Sequence, residues 1–315
     1  MTHERCLVLG GAGFIGSHIV EALIDHDYPV RVFDLPRRTL ANLAHLIDRI
    51  EIVEGDFTNV LDVRNALVDV DYVFHLVSTT LPQTANDNPI YDAESNLIAT
   101  LQLLNEARSA DVKKAIFISS GGTVYGVADT TPIVETHPTM PITAHGIIKL
   151  AIEKYLHLYH HLYGLDYVVL RVSNPYGERQ QSVGAQQGVV SVFIDRMRRG
   201  EPINIWGDGS VVRDFVYIQD VAQAFVLALT SASPHRIFNV GSGVGLSLNE
   251  LLALLEKVTG ITPHVNYLPG RSTDVPRNIL DTTRIRAEWG WSATTPLQVG
   301  LARTWEWVQH QDIKP

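Results

Sequence analysis

Short apolar runs alternate with stretches of helical spacing through the first half of the chain. Cys6–Leu9 is an apolar run that stops at Gly10, the pattern of a buried strand. Between Ser17 and Asp25, residues Ile19, Val20, Leu23 and Ile24 recur at helical spacing. Val30–Phe33 predicts a second strand, closed by Asp34, and Glu51–Glu54 a third, followed by Gly55-Asp56. Tyr72–Val77, Ala115–Ser119 and Tyr167–Val172 predict three more. Helices are predicted over Val60–Val68, over Asp92–Ser109, where Leu97, Leu101 and Leu104 share a face, and over Ile147–Leu162, apolar nearly all round. Strand–helix alternation of this kind predicts an α/β fold, a parallel sheet joined by right-handed crossovers.

The alternation loosens after residue 174. Pro175–Gly188, rich in Gly, Gln and Ser, reads as a long loop. Helices are predicted at Val189–Arg199, Asp220–Leu229, Leu248–Thr259 and Pro296–Trp307, and strands at Ile203–Trp206, Asp214–Tyr217, Ile237–Val240 and Val265–Tyr267. No internal repeat or low-complexity segment interrupts them. The expected division is residues 1–173 plus about 214–240 in the sheet domain, and about 174–213 plus 241–315 in a smaller mixed α/β lobe.

Composition narrows the function. Of 315 residues, 45% are apolar and 19% charged, enough for a sizeable core and too little charge for a disordered chain. A net charge of −9 disfavours a nucleic-acid binder, which needs a basic face. The lone Cys6 forms no internal disulfide and sits in a strand pattern. The start of the chain has neither a signal peptide nor a membrane span, so a cytoplasmic location without membrane contact is expected. The 13 histidines show no metal-ligand spacing, and no metal is expected.

The first strand runs into Gly10-Gly11-Ala12-Gly13-Phe14-Ile15-Gly16. Glycine supplies the angles of a tight turn and lets a diphosphate approach the backbone. The helix that follows points free N–H groups at the phosphates. Asp34 ends the next strand, where a carboxylate accepts from an adenosine ribose 2′-OH and repels a 2′-phosphate. The prediction is a Rossmann-type, doubly wound sheet that binds NAD. Arg37 and Arg38 follow in a loop, and Asp56 stands where it reaches the adenine.

With these marks the chain resembles the extended short-chain dehydrogenase/reductase family, nearest the nucleotide-sugar 4-epimerases of the UDP-glucose 4-epimerase type. The resemblance rests on Gly10–Gly16, Gly55-Asp56, Asn96 before a Leu-rich helix, Ser119–Gly126, Asn174–Gly177, Arg213-Asp214-Phe215, and Arg271 with Asp274. It runs nearly the whole chain and implies cofactor contacts at Gly10, Gly13, Phe14, Ile15, Gly16, Asp34, Asp56, Phe57, Leu76, Asn96 and Lys149. Substrate contacts are implied at Asn174, Val189, Arg213, Arg271 and Asp274, with Asn204–Trp206 beside the base. The two arginines suit two phosphates. The Ser78–Pro89 loop is expected over the sugar, with Thr79-Thr80 where some epimerases have a Lys.

Two positions depart from the family. A Tyr and a Lys four residues later do the chemistry in such enzymes; here the Lys is Lys149 and the Tyr position holds His145. A neutral imidazole still accepts a proton. The family's Ser or Thr three residues before Val124 is Gly121 here, leaving Thr123 or Ser120 to bind the reacting oxygen. Gly121-Gly122 also replaces the acidic residue of dehydrating relatives. The resemblance therefore implies an NAD-dependent 4-epimerase acting on a UDP-hexose. A nucleotide-sugar ketoreductase and a binding protein impaired by His145 are the alternatives. Matching helices in relatives pair across a homodimer, so a homodimer is expected.

Overall fold

A computed structural model of the protein describes residues 4–36, 38–80, 85–180, 188–271 and 274–311. Arg37, the middle of the Ser78–Pro89 loop and half of the Pro175–Gly188 loop lie outside the described residues.

Seven parallel strands form the main sheet. They are β1 (Cys6–Leu9), β2 (Val30–Asp34), β3 (Ile50–Glu54), β4 (Tyr72–His75), β5 (Lys114–Ser120), β6 (Asp166–Val172) and β10 (Ile237–Val240), in the spatial order β10-β6-β5-β4-β1-β2-β3. The chain winds outward from β1 through β2 to β3, then returns to β4 and winds the other way. Adjacent β1 and β4 therefore open a crevice at their carboxyl ends, the place where such sheets bind ligands. Alternate strand residues feed two cores: Cys6 and Val8 face one side of the sheet, Leu7 and Leu9 the other.

On the first side pack α1 (Phe14–Asp25) and α7 (Ile218–Thr230); on the second, α2 (Val60–Ala66), α4 (Ala99–Ser109) and α5 (Ala144–Tyr163). The predicted Asp92–Ser109 helix is broken: α3 (Pro89–Asp92) passes through a π-helical segment, Ala93–Ile98, before α4. Such irregular turns recur at functional sites. Helix α5 begins three residues before its apolar pattern, because the Thr143 hydroxyl accepts from Gly146 N at 3.2 Å and caps it.

The smaller lobe is built on β9 (Val212–Tyr217), which pairs with β7 (Asn174–Tyr176) and β13 (Arg277–Asn278) in parallel and β11 (Gly245–Ser247) antiparallel. The expected boundary near 214 thus falls inside β9, a strand of the small sheet, while α7 after it covers the large one. A second pair, β8 (Ile203–Trp206) with β12 (Val265–Leu268), is parallel. Helices α6 (Val189–Arg199), α8 (Leu248–Thr259), α9 (Thr283–Trp289) and α10 (Leu297–Gln309) complete it. Among the described residues no helix is long and apolar enough to cross a membrane.

Candidate active site

The glycine turn lies between β1 and α1 at the crevice. Gly10 has φ +81°, a conformation that favours glycine. A β-carbon on Gly16 would collide with the Gly10 carbonyl. Gly13 caps α1 without any side-chain hydrogen bond, so the first N–H groups of the helix are left for an anion. Asp34 ends β2, and its Oδ2 accepts from Ala12 N at 3.1 Å. Arg38 folds back over this turn, its Nε 3.5 Å from Asp34 Oδ1. A backbone cradle with a carboxylate at its edge fits a dinucleotide with a free ribose 2′-OH.

Other expected cofactor residues divide. Val77, one residue after Leu76, lies against Gly10, at the crevice. Phe57 is core: its ring stacks 5.1 Å from the His75 ring. Asp56 turns inward on its own loop, accepting from Thr58 N and Oγ1 at 2.8 Å. Asn96, in the π-helical segment, is buried; its Oδ1 accepts from Thr79 N at 2.9 Å and its Nδ2 donates to Asp92 Oδ1 at 2.8 Å. It builds the loop after β4 and leaves little surface for a ligand.

His145 and Lys149 sit one turn apart on α5, on the face turned to the sheet. Both are buried. Burial, with the Lys149 charge nearby, pulls the His145 pKa down to about 3. Burial pulls Lys149 down to about 8, against the carboxylates of Asp92 and Glu153. At neutral pH the imidazole is uncharged and the ammonium is mostly charged. Lys149 Nζ donates to Ile118 O at 3.1 Å and lies 4.7 Å from the centre of the Phe117 ring.

The loop after β5 meets this helix closely. A β-carbon on Gly146 would sit 2.8 Å from Thr123 O, so the glycine beside His145 lets the two backbones touch. Thr123 Oγ1 is buried with no partner, a free hydroxyl of the kind that binds a reacting oxygen. Ser120 ends β5, half-buried.

Beneath the loop runs a polar network that the sequence reading missed. Arg171 binds Glu153 through Nη2–Oε2 at 2.6 Å and Nε–Oε1 at 3.0 Å, and Ser119 Oγ donates to Glu153 Oε1 at 2.5 Å. Arg171 Nη1 also donates to Tyr125 Oη at 2.9 Å, which donates to Asn239 Oδ1 at 2.7 Å. Glu153 stands four residues after Lys149, on the same helix face. That spacing was the available signal.

On the smaller lobe, Arg213 is half-buried, held by the carbonyls of Val212 and Val275 at 2.9 and 2.7 Å. Arg271 pairs with Asp274 through two bonds of 3.1 Å and stacks 4.3 Å over the Trp206 ring. These residues gather guanidinium groups, a carboxylate and an aromatic face in one place. Asn174 Nδ2 donates to Asp214 O at 3.0 Å. Val189 is the first residue of α6 and half-buried. Asp214 itself was passed over as a mere motif residue. Its buried carboxylate accepts from Ser242 N, Gly243 N and Leu280 N at 2.7, 3.2 and 3.2 Å, fastening three segments of the lobe.

Known proteins resemble the chain along nearly its whole length. A putative UDP-glucose 4-epimerase of Methanocaldococcus jannaschii is 38% identical over 307 residues, 97% of this chain and 99% of that protein. A dTDP-4-dehydro-6-deoxyglucose reductase of Escherichia coli is 30% identical over 300 residues, covering 94% of each chain. The crystal structure of a Thermus thermophilus UDP-glucose 4-epimerase in complex with NAD superposes with a TM-score of 0.90 at 35% identity, covering 97% of this chain and 99% of the other. Residues 6–241 match the NAD dependent epimerase/dehydratase family, and the chain is a member of that family.

Proposed function

We propose that the protein is an NAD-dependent nucleotide-sugar 4-epimerase acting on a UDP-hexose. The observation that carries the mechanism is the buried, neutral imidazole of His145 one helical turn before the Lys149 ammonium. NAD, when bound, supplies a reversible hydride acceptor. As the C4 hydrogen leaves the sugar with its electron pair, His145 takes the proton of the C4 hydroxyl, and the carbon becomes a ketone. Thr123 Oγ1 holds that oxygen. Lys149 disfavours a second positive charge beside it, so the imidazole stays a free base until the proton moves. Reversal on the other face of the sugar returns both, with no net redox change.

The large sheet holds the dinucleotide and the smaller lobe the nucleotide sugar, with Arg213 and Arg271 on the diphosphate and Asp274 on the ribose. Two arginines matched to two phosphates support this assignment. Helix α5 and the segment before α4 leave Ile90, Tyr91, Ile98, Ile147, Leu158 and Leu162 exposed, an apolar surface that supports a homodimer. The reading places the enzyme in the cytoplasm, where NAD and nucleotide sugars occur together.

The test is NMR of purified enzyme with UDP-glucose or UDP-galactose alone. Interconversion without added NADH is expected. No interconversion by the native chain, with activity appearing in His145→Tyr, overturns His145 as base. The reductase relative motivates one further arm: stoichiometric NADH consumption with a 4-keto nucleotide sugar, and no epimerisation, overturns the epimerase reading.

A further inference from the structure

Asp92 and Lys149 are a buried carboxylate and a buried ammonium, 1% and 7% exposed. Among the described residues neither has an ion-pair partner within 4.0 Å. They stand on helices that pack against each other, Asp92 at the end of α3 and Lys149 in α5. Asp92 Oδ1 accepts from Thr80 Oγ1 at 2.5 Å and Asn96 Nδ2 at 2.8 Å, while Oδ2 is buried with no partner. A buried carboxylate oxygen with neither cation nor donor is costly unless a charge nearby compensates it.

Among the described residues, the other carboxylate acting on Lys149 is Glu153, which is itself paired with an arginine. From β5 Lys149 receives the Ile118 carbonyl and the Phe117 ring. From β4 comes His75, whose pKa burial pulls down to about 3. Thr100 Oγ1 donates to Asn96 O at 2.5 Å, so at its 2.8 Å contact with His75 Nε2 it accepts. That network puts the ring hydrogen on Nε2 and leaves Nδ1 a bare lone pair, also without a partner. From its own helix come neutral His145 and Glu153. Glu153 is committed to Arg171 of β6 and to Ser119.

A tyrosine at position 145, once ionised, would balance the ammonium. A neutral imidazole does not. We propose that Asp92 is the counter-ion of Lys149, a positioning residue that keeps the ammonium charged at neutral pH in a site whose residue 145 carries no negative charge. This rests on the reading of Lys149 as the cation of the active site.

The test follows protonation directly. Protein carrying 13Cε-lysine is titrated by NMR, with Lys149→Met assigning the resonance. In Asp92→Asn, the Lys149 midpoint falls by about one pH unit or more, a tenfold loss of proton affinity. In the His145→Tyr background the same substitution moves it less than half as far, because the phenol supplies charge when it ionises. An unmoved midpoint in a folded Asp92→Asn protein overturns the proposal. Should that variant fail to fold, the native protein decides: the Asp92 13Cγ resonance at about pH 7 must report an ionised carboxylate, and a neutral one overturns the proposal. Neither readout requires turnover. Failure of epimerisation in the native enzyme is therefore distinguishable from failure of the counter-ion.

Discussion

Leu280 occupies the space that a side chain at residue 121 would need. A β-carbon built on Gly121 lies 2.5 Å from Leu280 Cδ1 and 3.1 Å from Arg171 O. The loss of a hydroxyl at 121 is thus coupled to a leucine that the smaller lobe lays against the loop. Gly121→Ser is expected to destabilise the protein by about 1–3 kcal/mol through overpacking, and to leave the rate no higher. Thr123→Val, which keeps shape and removes the orphan hydroxyl, lowers kcat by about 10²-fold with an unchanged urea midpoint. Equal activity of Thr123→Val and the native enzyme moves the role to Ser120.

The pH dependence of kcat/KM follows from the two buried bases. His145, at about 3, is already neutral throughout the neutral range, so the acid side is flat down to the onset of unfolding. Lys149, at about 8, loses its charge above that pH, and activity falls there. A stopped pH series with buffer-matched ionic strength measures both. A steep acid limb near the ordinary imidazole value of about 6.5 contradicts a base held neutral by burial.

Acid stability carries a related signature. His18, His75 and His145 have pKa values pulled down by burial to about 4, 3 and 3 from 6.5. Each is depressed in the folded state, so the unfolded chain binds its proton first as pH falls. Stability is intact above 6.5 and is lost progressively below it, by up to about 1.4 kcal/mol per pH unit for each histidine. Urea unfolding at about pH 7 and pH 5 is expected to show the loss before carboxylates contribute. His75→Asn shallows the slope.

Glu153→Gln leaves Arg171 buried and uncompensated. Its side chain is 2% exposed and that of Glu153 1%, so the substitution is expected to cost about 3–5 kcal/mol. Because Ser119 and Tyr125 belong to the same network, activity falls along with the melting temperature. Thermal unfolding checks the first. A variant as stable as the native protein refutes the network as a support.

The parallel sheet and the glycine cradle were legible because each rests on local pattern: apolar runs, helical spacing and glycines at a turn. Asp34 and the His145–Lys149 spacing were legible for the same reason. Broken periodicity was not. The π-helical segment at Ala93–Ile98 keeps apolar residues at helical spacing while shifting their phase, and the short strands Gly245–Ser247 and Arg277–Asn278 exist only through pairing with β9. The buried partners Asp92, Arg171 and Asp214 were hidden because a charged residue in sequence gives no sign of what will surround it. Phe57, expected at the cofactor, packs on His75; an aromatic after a strand end serves a core as readily as a ligand.

Residues 277–281 join the smaller lobe to the catalytic loop on several sides at once. They add strand β13 to β9, donate from Asn278 Nδ2 to Gly121 O at 3.0 Å, place Leu280 on Gly121, and exchange backbone bonds of 2.8 and 2.9 Å with Ile133. The smaller lobe is therefore tied directly to the loop that carries Gly121 and Thr123. A cut in this short segment is expected to disable the catalytic loop from the far end of the sequence.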